Sequence, residues 1–332
     1  MRPRDLAIVA AVLVLGGFAL ADALRGDPSP TSEPPPPATT ARTVPVPALD
    51  ANQPAIQSAS GALVYTDLRG KDCRLGAYTI AAGSAFQLPP ISTNCHVWAP
   101  LRTSQVAYGL PTSAGDATTS FRLIDLAHPE RELGARFETS THTVEWAYDG
   151  QRLGWCDQGG QGIDYDPQGL ARRVAGCPVG YTPDDRPMFV NKAGHLQTGK
   201  AVVYRGIGQV TGAHWGDDGS LAVYLDWGRV VRIAGDGSSH ETRLDAEASG
   251  RPLGFAPNNC AALSVDGVTV RILDLGCFAA GDLSFPGTNA AWSPDGAWIA
   301  IARPTQVLFQ RLLGGDESAT WEIRAGDLAW LR

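Results

Sequence analysis

Carboxylates recur at a fixed place in this chain. Asp149 stands three residues after Trp146, Asp184 three after Tyr181, Asp218 three after Trp215 and Asp295 three after Trp292. Asn258 holds the same place after Phe255, and Asp185 and Asp217 make two of the sites paired. Paired carboxylates can act as general acid and base, or offer oxygen ligands to calcium. Recurrence argues for another role, because a catalytic pair is unique in its protein while a structural residue repeats with its element. Asp or Asn accepts a local backbone hydrogen bond in a tight turn, and the Gly or Asn beside it tolerates positive φ. These acids are therefore read as turn residues. Asp157, Asp164 and Asp166 form a separate acidic group that lacks the ligand spacing of an EF-hand loop.

The six histidines are scattered, with His96 and His214 placed two and one residues before Trp98 and Trp215. No H-x-H or H-x-x-x-H spacing supports a metal centre, so both are read as hydrogen-bonded or exposed. The chain has no G-x-S-x-G elbow, Walker A loop or dinucleotide fingerprint. Gly159, Gly160, Gln161 and Gly162 sit in no strand-to-helix pattern and read as a turn. Ser293-Pro294-Asp295-Gly296 approaches the Asp-box turn of sialidases, but Trp298 comes too soon after it. The sequence assigns no catalytic, cofactor-binding or metal residue, and no cofactor is expected.

Six cysteines fall into three near neighbours, Cys73/Cys95, Cys156/Cys177 and Cys260/Cys277. No C-x-x-C occurs, and no Cys/His spacing resembles a zinc site. In an exported domain they read as local disulfides. Each would close a loop of about 20 residues and stabilise by roughly 3 kcal/mol in the chain-entropy picture. Six cysteines allow 15 connectivities, and the sequential pairing is chosen on proximity.

The elements that carry these residues are strands. From residue 58 onward, short apolar or alternating runs are separated by Gly, Asp, Asn and Pro, with no amphipathic helix among them. The aromatics Trp98, Trp146, Tyr181, Trp215, Phe255, Trp292 and Trp330 mark the ends of successive first strands, 34 to 48 residues apart. A period near 40 suits the four-stranded blade of a β-propeller. Residues Val144–Trp146, Arg152–Cys156, Gly162–Asp166 and Arg172–Ala175 would fill one blade. The chain stops just past Trp330, after one strand of a last unit, and Ala62–Thr66, Arg74–Ile80 and Ala85–Leu88 supply the missing three. The expectation is an all-β propeller of seven four-stranded blades, closed by pairing the N- and C-terminal strands. Six blades is the alternative if Tyr181 starts no unit. The aromatics of the repeat are expected in the core between blades. Trp155, Trp227, Trp298 and Trp321 fall outside the register, with packing preferred over exposure for ligand contact.

The N-terminus reads differently. Residues 1–5 carry Arg2 and Arg4, and residues 6–24 are almost wholly apolar, interrupted only by Asp22. The run just reaches the length of a transmembrane helix, and the arginines would hold 1–5 in the cytoplasm. An uncleaved anchor is preferred, and a signal peptide cut after Ala19-Leu20-Ala21 is the alternative. Residues 25–57 read as a disordered spacer, with nine prolines between 28 and 54. Extended at about 3.1 Å per residue, that stretch reaches on the order of 80 Å. The propeller domain would span 58–332. A net charge of −7 opposes nucleic-acid binding.

Trp292-Ser293-Pro294-Asp295-Gly296 followed by an apolar strand resembles the TolB-type, WD-like propeller repeat of bacterial envelope proteins. The resemblance covers roughly 60–332 but is close only at Trp292–Ala302, and a bare linker stands where TolB proteins carry an N-terminal α/β domain. It implies the fold and is nearly silent on activity. The expected function is a membrane-tethered, extracytoplasmic scaffold that binds an envelope protein or a glycan. A propeller hydrolase acting on a sugar or lactone at the channel mouth is the alternative.

Overall fold

A computed structural model describes residue 56 and residues 59–332. The short segments 69–73, 81–83, 88–95, 101–102, 112–118, 129–131, 140–143, 167–169, 207, 244–250, 277–280 and 316 are not described. The described residues form seven antiparallel sheets of four strands each. Their innermost strands are His96–Trp98, Glu145–Trp146, Pro178–Tyr181, Val210–Trp215, Arg251–Phe255, Asn289–Trp292 and Ala325–Leu331. Tyr181 starts a unit of its own, so the blades number seven. The second strands Leu153–Cys156, Leu221–Leu225 and Trp298–Ala302 are buried along their whole length. Burial on both faces follows from blades packing face to face, and it explains why these runs do not alternate.

The first blade is assembled from both ends of the chain. Ala325–Leu331 is its inner strand, and Ala62–Asp67, Arg74–Thr79 and Ser84–Gln87 follow outward. Trp330 lies opposite Leu63 and Leu331 opposite Ala62, as the repeat length requires. The Leu68 amide donates to the Arg324 carbonyl at 3.0 Å, continuing the seam past the paired strands. Closure removes the sheet edges that an open stack would present.

The acidic turns have one hydrogen-bond pattern in five blades. In the last, the Ser293 amide donates to the Trp298 carbonyl and Gly296 to Ser293, at 2.9 and 2.8 Å. Equivalent pairs start from Ala147, Thr182, Gly216 and Ala256. The fourth turn residue has φ between +53° and +77° in all five: Gly150, Asp185, Gly219, Asn259 and Gly296. Carboxylate oxygens of Asp149, Asp218 and Asp295 accept the amide two residues on, at 2.7 to 3.0 Å. Asn258 does the same for Cys260 at 3.1 Å. These acids terminate strands.

Between blades, the repeat aromatic leans back onto the blade before it. Trp215 packs with Met188 and Leu196, Trp292 with Leu263 and Ile272, and Trp330 with Phe309 and Trp321. The second blade departs from the expected register. Val97, paired with Tyr108, packs with Val64 and Leu331 of the first blade, so Val97 holds the repeat position. Trp98 is one residue further and therefore faces the other way, toward Leu153 and Trp155 of the third blade. Trp155, Trp298 and Trp321 are buried, while the Trp227 side chain lies outside the described residues.

Cys156 and Cys177 are disulfide-bonded, joining the end of Leu153–Cys156 to the segment that enters the fourth blade. Cys260 is also disulfide-bonded. Cys73, Cys95 and Cys277 lie outside the described residues, as do residues 1–5, 6–24 and nearly all of 25–57. Among the described residues no helix is long and apolar enough to cross a membrane.

Candidate functional site

The seven inner strands surround a central channel of about 380 Å³. With Val97 taken as the repeat residue, the position just before each repeat residue is His96, Glu145, Gly180, His214, Gly254, Ala291 and Ala329. All seven line the channel. Four of them are Gly or Ala, which leaves room in the wall. Gly180 is also required by packing: a Cβ there would lie 2.0 Å from the Ala213 carbonyl oxygen. The other three bring titratable groups to the same level of the channel.

His96 belongs to a cluster built from three blades. Its Nδ1 lies 2.8 Å from Asp327 Oδ2. Asn289 Nδ2 donates to Asp327 Oδ1 at 2.9 Å, and the Asp327 amide donates to Thr66 Oγ1 at 2.7 Å. Both carboxylate oxygens of Asp327 are thus engaged within the wall. His214 is held similarly: its Nδ1 lies 2.7 Å from Asn259 Oδ1, and its ring stacks on Phe255 at 5.9 Å. Asn259 in turn donates to the Ser220 carbonyl at 2.9 Å. The two histidines are the hydrogen-bonded ones expected from the sequence.

Glu145 differs from them. Its side chain is mostly buried where the third and fourth blades meet the channel, and no hydrogen bond or ion pair holds it among the described residues. Protein around the carboxyl strips it of water and pushes its pKa up to about 7. Behind it, Tyr181 Oη donates to Asp164 Oδ1 at 3.0 Å, and burial raises the phenol's pKa with Asp164 and Glu145 adding to the effect. Asp164 is buried and ion-paired with Arg152 and, at 3.4 Å, with Arg172. It does not join Asp157 and Asp166 in a cation site. Among the described residues no three His, Cys, Asp or Glu side chains are placed to hold a metal.

The turn end of the channel is lined by Pro100, Pro257, Pro294, Tyr148, Asp217 and Arg332. Tyr148 Oη donates to Asp217 Oδ1 at 2.6 Å, a contact from the third blade to the fifth. Aromatic walls complete the site, with Trp98, Trp146 and Trp215 partly open. The Trp146 Nε1 donates to the Trp98 carbonyl at 3.1 Å, whereas the buried Trp292 Nε1 has no acceptor among the described residues.

Sequence reasoning missed this constellation. Glu145 reads as an ordinary strand residue, and Asp327 and Asn289 meet His96 only because the ring closes. The one available signal was that the residue before the repeat aromatic is small in most blades and ionisable in three.

Neither a family model nor a curated protein sequence matches the chain. Solved propellers match in shape at low identity. Apo AztD from Citrobacter koseri is 9% identical with a TM-score of 0.51, and the match covers 82% of this chain and 98% of AztD. TolB from Acinetobacter baumannii is 16% identical with a TM-score of 0.46, covering 85% of this chain and 69% of TolB. The Cps50 (Swd1) β-propeller domain of Myceliophteria thermophila is 16% identical with a TM-score of 0.46, covering 71% and 88%. Such likeness is one of fold: the chain has the architecture of a β-propeller.

Proposed function

We propose that the protein is a binding propeller of the cell envelope that takes its ligand in the central channel. The carrying observation is the channel itself. Its wall combines open aromatic faces with ionisable residues that break the sevenfold repeat, as His96, Glu145 and His214 do. A few polar groups set in a largely apolar concavity are the usual make-up of a small-ligand site. The apolar run at 6–24 and the proline-rich 25–57 would tether the domain outside the membrane and hold it off the surface. A partner protein or glycan of the envelope would meet the loops at the channel mouths.

The hydrolase reading fits less well. Asp327 spends both oxygens on wall contacts, and among the described residues the channel lining includes neither Ser nor Cys. A screen of the full chain in mild detergent against amines, sugars and carboxylates, read by tryptophan fluorescence, tests the binding reading. Saturable quenching without turnover is expected for at least one class. Silence across all classes, or turnover of a sugar or lactone, overturns it.

A further inference from the structure

Among the described residues the side-chain carboxylates of Glu145, Asp217 and Asp327 line the channel. Asp217 accepts from Tyr148, and Asp327 is held by His96 and Asn289. Glu145 has no such partner among the described residues. Resting on the reading that the channel is the binding site, we infer that its ligand is a small organic cation, a protonated amine whose ammonium pairs with Glu145 in a channel also lined by the partly open Trp98, Trp146 and Trp215.

The argument runs through charge. A carboxylate enclosed by protein costs free energy unless a cation or donors compensate it. Among the described residues no cation is seen paired with it. Arg152, the nearest arginine in sequence, is committed to the buried Asp164. Arg332 stands two residues past Trp330, in the turn layer with Tyr148 and Asp217. A neutral ligand would leave the carboxylate as exposed to desolvation as before, and an anion would add repulsion. An ammonium supplies the missing charge, and aromatic faces add attraction for cations, on the order of 2 kcal/mol where water is excluded. Gly254, where a Cβ would meet no atom within 4 Å, leaves space for the organic part.

The groups around Glu145 fix the expected pH dependence. Tyr181 stays protonated, Asp164 and Arg152 neutralise each other, and across the channel His96 and His214 are tied to Asp327 and Asn259. Glu145 is then the group whose proton is exchanged on binding. Below pH 7 an ammonium must displace that proton, so affinity rises with pH and levels off above about pH 7.

The test uses the full chain in mild detergent and three probes of one shape: phenethylammonium, phenethyl alcohol and phenylacetate. Only the ammonium should bind, releasing up to one proton at pH 6 and almost none at pH 8 by calorimetry in two buffers. Glu145→Gln should weaken it at least tenfold while preserving the fold. Ala291→Leu, which narrows the wall without touching charge, should weaken all binding. Equal binding of alcohol and ammonium, or undiminished ammonium binding by Glu145→Gln, overturns the inference. Binding of phenylacetate or sugars alone also overturns it while leaving the channel as a binding site. No binding by any class defeats both readings.

Discussion

The Trp330 indole donates from Nε1 to the carbonyl of Ser60 at 3.0 Å, across 270 residues of chain. The contact ties the inner strand of the first blade to the segment that enters its second strand, and the same indole is buried against Phe309 at 5.7 Å. One side chain therefore serves both the closing seam and the packing of the last blade against the first.

Closure should be the fold's most vulnerable joint. Trp330→Ala removes a buried aromatic and is expected to cost about 3–5 kcal/mol, seen as a lower Tm. Deleting 325–332 should do more, because Ala62–Asp67 would then present a long, apolar, unpaired edge. A synthetic peptide spanning 325–332, added in trans, should restore a cooperative melt. If the truncated chain melts like the intact one, the seam does not hold the ring together.

How much of this was readable in the sequence depends on whether a feature repeats. The turn after Trp292 was legible because its acid and the positive-φ residue beside it are dictated locally, and the pattern recurs in five blades with Gly at the positive-φ place in three. The preference for seven blades over six and the pairing of the Trp330 strand with Ala62–Thr66 followed from the repeat, while the Leu63–Trp330 register came only with the structure. Val97 was hidden because Trp98 looks like the repeat aromatic, and only the face to which each side chain points reveals a one-residue shift. The Cys156–Cys177 bridge was visible as proximity. The channel residues were not, since Asn289, Asp327 and His96 come together from three blades and no local rule links them.

The Asp164 network should hold the third blade to the fourth. Its carboxylate is nearly water-free and faces Arg152, Arg172 and the Tyr181 hydroxyl. Asp164→Ala leaves the partly buried Arg152 without its close counter-charge, for which about 3 kcal/mol of destabilisation, the low end for a buried pair, is expected. Tyr181→Phe removes one hydrogen bond and keeps the ring, so roughly 1 kcal/mol is expected. Chemical denaturation of both variants checks the order. Equal effects would mean that the Tyr181 hydroxyl bond, not the charge pair, carries the interface.

Glu145 should make stability fall as pH rises, the reverse of an ion-paired carboxylate. Its folded pKa, about 7, lies above the ordinary carboxylate value of 4.5, so between these values the folded chain holds more proton than the unfolded one. Stability from this group is intact below pH 4.5, declines through the interval and is fully lost above about pH 7. The loss amounts to about 3 kcal/mol if the whole shift is realised. Glu145→Gln keeps the shape and removes the charge, so it should match the wild type at pH 4.5 and exceed it in Tm at pH 8. Parallel melting curves for the two proteins from pH 4.5 to 8 would show that the carboxyl is solvated after all. A gap that opens toward high pH and closes when an amine saturates the wild-type protein would tie the stability cost of this residue to its use in binding.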